Sequence, residues 1–177
     1  MGQVTPGACP GLLRLVPGGQ TISGLLLAPL RVIPTNGGPV LHMLRADSPL
    51  FSGFGEVYFS EATPGALKAW KRHRVQTQLF AVPVGRLDFV VYDARETSPT
   101  QGKLAHICLG RPDAYCLLRI PPLLWYGFAA RGASPALVAN VADRPHNPAE
   151  SDSLPADTPE IPFSWPADGE TFCSSLE

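Results

Sequence analysis

A chain of 177 residues is long enough for one domain with a substantial core and too short for two comfortable ones. Apolar residues make up 45% of it and charged residues 16%, and a formal net charge of −1 excludes whole-molecule attraction to nucleic acid or an acidic membrane. The longest apolar stretch, from Ile22 to Leu30, is broken by Gly24 and Pro29 and is too short to cross a bilayer. The residues after Met1 lack the layout of a secretion signal, so the expected location is the cytoplasm.

The 20 prolines and 17 glycines are spread throughout and leave no room for long helices. Between them lie short runs rich in Val, Leu, Ile, Phe and Tyr. Strands are predicted over residues 22–33, 40–45, 56–60, 66–72, 78–84, 87–93, 104–109, 115–120 and 137–141. Leu87, Phe89 and Val91 alternate with Asp88, Val90 and Tyr92, as in a strand between two environments. Val82-Pro83 inside a strand run signals an edge or a bulge. Many short strands separated by turn residues predict an all-β sandwich or barrel, with a jelly roll well placed. From Asp143 the texture becomes rich in Pro, Asp, Glu and Ser, relieved by Ile161, Phe163, Trp165 and Phe172. The expected organisation is an arm over 1–20, a barrel over 21–143 and an extended tail over 144–177. The tail is pinned by its aromatics, and its last ten or so residues are expected to be disordered.

The segment from Gly85 through Asp93-Ala94-Arg95 to Ser98-Pro99-Thr100-Gln101-Gly102 resembles a signature of the dTDP-4-dehydrorhamnose 3,5-epimerases. Gly65-Ala66-Leu67-Lys68-Ala69-Trp70-Lys71 is similar to the family's G-v-l-R-G-L-H. Ile120-Pro121-Pro122-Leu123-Leu124-Trp125-Tyr126-Gly127-Phe128 is similar to its I-P-x-G-x-x-H-G-F, and Ile161-Pro162-Phe163-Ser164-Trp165-Pro166 to its closing I-x-W-P. The resemblance spans roughly residues 20 to 166 and implies a cupin-type jelly-roll barrel that holds its substrate inside, commonly as a homodimer. It also implies proton abstraction beside a keto group by a His, with a Tyr as acid and a Lys at the enolate.

Several of those positions differ here. Lys71 stands where the family has its base His, Gln78 where it has the enolate Lys, and Val138 near its acid Tyr. Tyr126 replaces the His of H-G-F, and His42 falls at a family Glu. Lys68 keeps a cation where the family has Arg, and Tyr58 replaces an Asn two residues before Ser60. Of the run W-H-x-H found in some relatives, Trp70-Lys71-Arg72-His73 keeps the second His.

With these charges lost, Tyr58, Trp70, Phe80 and Tyr126 are expected to line an apolar cavity. Tyr58, Trp70 and His73 are then the catalytic candidates. His42, Lys68, Lys71, Gln78, Phe80, Tyr126 and Val138 are the substrate-binding ones. The first functional expectation is a cofactor-independent cyclase that folds an apolar polyketide-type intermediate. The alternatives are a sugar-nucleotide epimerase that uses His73 in a rearranged site, and a non-catalytic small-molecule binder. His73 is also open to a plainer reading, as a strand-end residue on the solvated rim beside Arg72 and Arg74. His42, His73, His106 and His146 lack the spacing of a metal cupin, so no metal or cofactor is expected.

Overall fold

The computed structural model describes residues 22–166; the predicted arm and the last eleven residues lie outside that range. Twelve strands account for nearly all the regular structure. They are β1 (Leu26–Pro29), β2 (Val32–Ile33), β3 (Val40–Leu41), β4 (Glu56–Ala62), β5 (Leu67–His73) and β6 (Gln78–Val84). There follow β7 (Arg86–Tyr92), β8 (Leu104–Gly110), β9 (Cys116–Ile120), β10 (Trp125–Arg131), β11 (Ala136–Ala142) and β12 (Ser151–Ser153). A one-turn 3-10 helix at Pro148–Glu150 precedes β12, capped by the Asn147 side chain. No described helix is long and apolar enough to cross a membrane.

Two five-stranded sheets face each other as a jelly-roll barrel. One runs β1-β9-β6-β11-β4, the other β12-β5-β10-β7-β8, with β2 and β3 as a separate hairpin. The alternation read in β7 sorts its residues by face. Leu87, Phe89 and Val91 point into the barrel with Phe80, Val82, Tyr126, Phe128 and Val138 from other strands. Val90 and Tyr92 point outward, where Ile161, Leu154, Phe163 and Trp165 of the tail cover them. The outer face of the first sheet is covered by the segment carrying Leu30, Leu41, Met43, Leu44 and Leu50. Apart from β4, where Val57 and Phe59 are exposed, the sheets thus bury much of both faces, which is why so many of their runs lack polar alternation.

Pro83 sits at a bulge rather than an edge. β6 lies between β9 and β11, and the four β6 residues from Ala81 to Val84 lie opposite the three β11 residues from Ala139 to Leu137. Gly127 has a different reason. A Cβ there would come within 2.5 Å of the Ala69 Cβ and 2.8 Å of the Trp165 ring, so only glycine lets the tail seat against β5 and β10.

The Asp93–Arg95–Ser98–Pro99–Thr100 run has a structural use. Asp93 is fully buried and accepts hydrogen bonds from Arg95 Nε (2.8 Å), Ser98 Oγ (2.6 Å) and Thr100 Oγ1 (2.6 Å). Burial opposes its ionisation, but these donors outweigh it and hold its pKa far below the usual carboxylate range. Arg95 also donates to the Ser23 carbonyl, and Ser23 N–H donates to Thr100 Oγ1, so the turn clamps the start of the described chain.

Candidate active site

A cavity of about 290 Å³ opens between the two sheets. β4 and β11 supply Tyr58, Ser60, Val138 and Asn140 to its walls, and β6 supplies Phe80. From the facing sheet come Lys68, Lys71, Tyr126, Phe128 and Ser153. A larger, more open hollow of about 490 Å³, lined by Val32, Pro83, Val84, Gly85, Arg111 and Pro112, has Arg111 as its one charged group, and Arg111 Nε is committed to the Pro83 carbonyl. The titratable groups gather at the smaller one.

Behind the Tyr126 wall lies a three-residue chain. The Tyr126 hydroxyl is 3.1 Å from His73 Nε2, and His73 Nδ1 hydrogen-bonds to Glu150 Oε1. His73 is 6% exposed, which corrects the alternative of a solvated rim histidine. Its neighbours Arg72 and Arg74 turn away and both bind Asp152. Glu150 Oε2 accepts from the backbone N–H groups of Arg74 (3.1 Å), Val75 (3.2 Å) and Gln76 (3.4 Å). Burial works against the Glu150 charge, but His73 and these amides outweigh it and lower its pKa. An ionised Glu150 only accepts, so His73 carries its proton on Nδ1 and Nε2 is left to accept from the Tyr126 hydroxyl. Burial lowers the His73 pKa, with Glu150 opposing, so the imidazole is neutral near pH 7. Burial, aided by the nearby Tyr58 and Glu150, pushes the Tyr126 pKa upward, so its resting state is the neutral phenol.

The opposite wall carries a chain of amides. Asn140 Nδ2 donates to the Tyr58 hydroxyl oxygen and, at 2.8 Å, to Gln78 Oε1. Gln78 Nε2 donates to Gln76 Oε1 (2.9 Å), and Gln76 Nε2 donates to the carbonyls of Arg144 (3.1 Å) and Pro145 (2.9 Å). Asn140 Oδ1 is buried without a partner. Burial raises the Tyr58 pKa, with the Asn140 bond opposing.

Two lysines complete the lining. Lys68 Nζ donates to Ser60 Oγ (3.2 Å) and the Glu61 carbonyl (3.0 Å), and Lys71 faces Ser153 across the β5–β12 pair. Neither is in an ion pair among the described residues. The cavity therefore presents two cations without carboxylate partners beside the apolar wall of Phe80, Phe128 and Val138.

Tyr58, His73, Lys68, Lys71, Phe80, Tyr126 and Val138 come together as wall residues or directly behind one. Trp70 does not present its ring there. It borders the cavity, but its indole packs outward against Phe163 and Trp165 and donates to the Ala156 carbonyl. An odd position in β5 relative to His73 and Lys71 puts it on the other face, and a register shift against β10 between Lys71 and Lys68 returns Lys68 to the cavity side. Gln78 acts from behind Asn140 rather than on the lining. His42 follows the outlying β3 and is not among the lining residues. Glu150, Asn140 and Gln76 were missed. Asn147-Pro148 is a helix-start signal that would place Glu150 in a first turn, but nothing local ties it to His73, 77 residues earlier. Among the described residues no three His, Cys, Asp or Glu side chains converge as a metal site.

Fold and site together define a cupin barrel with titratable groups facing a cavity of mixed polarity. No family model matches the chain. It is 34% identical over 143 residues to the probable low-salt glycan biosynthesis epimerase Agl13 of Haloferax volcanii, covering 78% of this chain and 91% of that protein. It is 30% identical over 146 residues to the spore coat polysaccharide biosynthesis protein SpsL of Bacillus subtilis, covering 81% and 96%. The crystal structure of a dTDP sugar isomerase from Desulfovibrio desulfuricans G20 is 64% identical and superposes with a TM-score of 0.80, covering 81% of this chain and 92% of that one. The chain belongs to the sugar-nucleotide epimerase-like cupin family.

Proposed function

We propose that this protein is a cofactor-independent epimerase or isomerase of a dTDP-linked keto-hexose in glycan biosynthesis. The observation that carries the reading is the Glu150–His73–Tyr126 chain, which ends at a cavity wall. A carbon-bound hydrogen beside a ketone is weakly acidic, so its removal needs a positioned base and a stabilised enolate. The C–H bond breaks and its proton passes to the Tyr126 oxygen as the Tyr126 proton moves to His73 Nε2. The electron pair goes into the enolate, and Glu150 stabilises the imidazolium. Tyr58, from the facing sheet, returns a proton to the other face of the carbon. Because Tyr58 is 41% exposed, it regains its proton from water, while His73 discharges through Tyr126. Lys68 and Lys71 supply charge for the diphosphate and the enolate oxygen.

This reading takes the sugar-nucleotide alternative over the cyclase. Two lysines without carboxylate partners suit an anionic substrate, and the relatives' names support the same choice. The test is incubation with dTDP-4-keto-6-deoxyglucose in D2O. Deuterium is expected at a carbon next to the ketone. An absence of exchange, joined to thermal stabilisation by apolar polyene lactones and none by dTDP, would overturn the reading in favour of the cyclase.

A further inference from the structure

The wall opposite Tyr126 has a fixed polarity, and it can be traced from the backbone. The carbonyls of Arg144 and Pro145 can only accept, so the end of Gln76 that meets them is its NH2 group. Gln76 Oε1 then faces Gln78, which must present its own NH2. Gln78 Oε1 in turn faces Asn140, which must do the same. Reversing any amide would set two oxygens, or two NH2 groups, against each other at hydrogen-bond distance.

Two consequences follow at the cavity. Asn140 Oδ1 is left as an acceptor without a donor on a side chain that is 1% exposed and lines the cavity. A buried acceptor in that state is costly until a donor arrives. The Tyr58 oxygen meanwhile already accepts from Asn140 Nδ2, so its hydroxyl hydrogen is available to donate elsewhere. One wall thus presents a donor beside an acceptor.

We infer that Asn140 Oδ1 accepts a hydrogen bond from a hydroxyl on the carbon next to the substrate's ketone, beside the Tyr58 hydroxyl that delivers its hydrogen to the reacting carbon. Gln76 and Gln78 are positioning residues that fix this polarity without touching the sugar. The inference rests on the sugar-nucleotide reading and adds to it a specificity-determining residue, Asn140, which distinguishes the hydroxyl beside the ketone from its deoxy or fluoro counterpart. A fluorine of similar size offers no hydrogen, and would leave the Asn140 acceptor unpaired.

The experiment compares dissociation constants, by calorimetry, for dTDP, dTDP-4-keto-6-deoxyglucose and its 3-deoxy-3-fluoro analogue. The wild-type protein should prefer the hydroxyl ligand over the fluoro one by roughly 10- to 100-fold. Asn140→Leu, which removes the acceptor, should erase that ratio, so that the hydroxyl and fluoro ligands bind alike. Gln76→Met should shrink the ratio several-fold from outside the cavity, which a merely structural role would not do. Equal wild-type affinity for both sugars, or an undiminished ratio in Asn140→Leu, overturns the assignment and leaves the sugar-nucleotide reading standing. Failure of dTDP and both sugars to bind removes that reading, and this inference with it.

Discussion

Two carboxylates organise this molecule, and they do so in opposite ways. Asp93 gathers partners within seven residues of itself, all in one turn, and directs none of them at the cavity. Glu150 gathers His73 and three backbone amides from 74 to 77 residues earlier, and through Tyr126 it reaches the cavity. Both are buried and held ionised by donors. The difference lies in what each set of bonds constrains. A local cluster fixes a turn and so stabilises the fold, whereas a long-range one fixes the tautomer of a single imidazole and so sets its chemistry.

Substitutions at the two clusters should separate those roles. The largest effect expected is on catalysis. His73→Asn should slow deuterium exchange by about 10²- to 10⁴-fold while the melting temperature moves by only a few degrees, measured on the same preparation. Asp93→Ala should do the reverse. Loss of a buried, paired carboxylate should remove about 3 kcal/mol of stability, a fall in melting temperature of roughly 6–12 °C, with the exchange rate per folded molecule intact. An Asp93 variant that folds normally but fails to exchange would break the contrast. Its pH dependence has a definite sign. The Asp93 pKa is depressed by folding, so its stabilisation is complete above the usual carboxylate range and is lost as pH falls through its folded value.

The smallest effect expected is a displacement of a pH profile. His73 must be neutral to accept a proton, and burial lowers its pKa below the ordinary value of 6.5, so activity should fall on an acid limb placed below that pH. Glu150 opposes the lowering, so Glu150→Gln should move the limb to still lower pH. A limb that moved upward would show that Glu150 is not the group coupled to His73.

The same contrast explains what could be read from the amino-acid order. Strand 78–84 matches β6 at both ends, and the inward set Leu87, Phe89 and Val91 is the barrel's own, because side-chain period and turn chemistry are local properties. β10 was carried only as a motif match. Its run Trp125–Arg131 is buried on both faces and so lacks alternation. β12 was absent from the expected strands, since Ser151–Ser153 has no apolar residue and pairs with β5 only because the tail brings it there. At the site, Tyr58 and His73 were named from single positions. Their partners Asn140 and Glu150 were not, because each is contributed by another strand or by the tail, and no spacing in the chain encodes it. Trp70 was expected inward from its match to interior or near-interior family positions, although the parity that aims His73 inward aims its ring outward.

The residue that orients the base also arrives late. Every strand of the barrel from β1 to β11 precedes Glu150 in the chain. During synthesis the cavity walls, with Tyr58, His73, Tyr126 and Asn140, can therefore assemble before the carboxylate has left the ribosome. On the proposed function, such a barrel lacks the carboxylate that orients His73 until its last segment is laid across β5. Catalysis by that route therefore depends on a segment that lies outside the barrel's own walls.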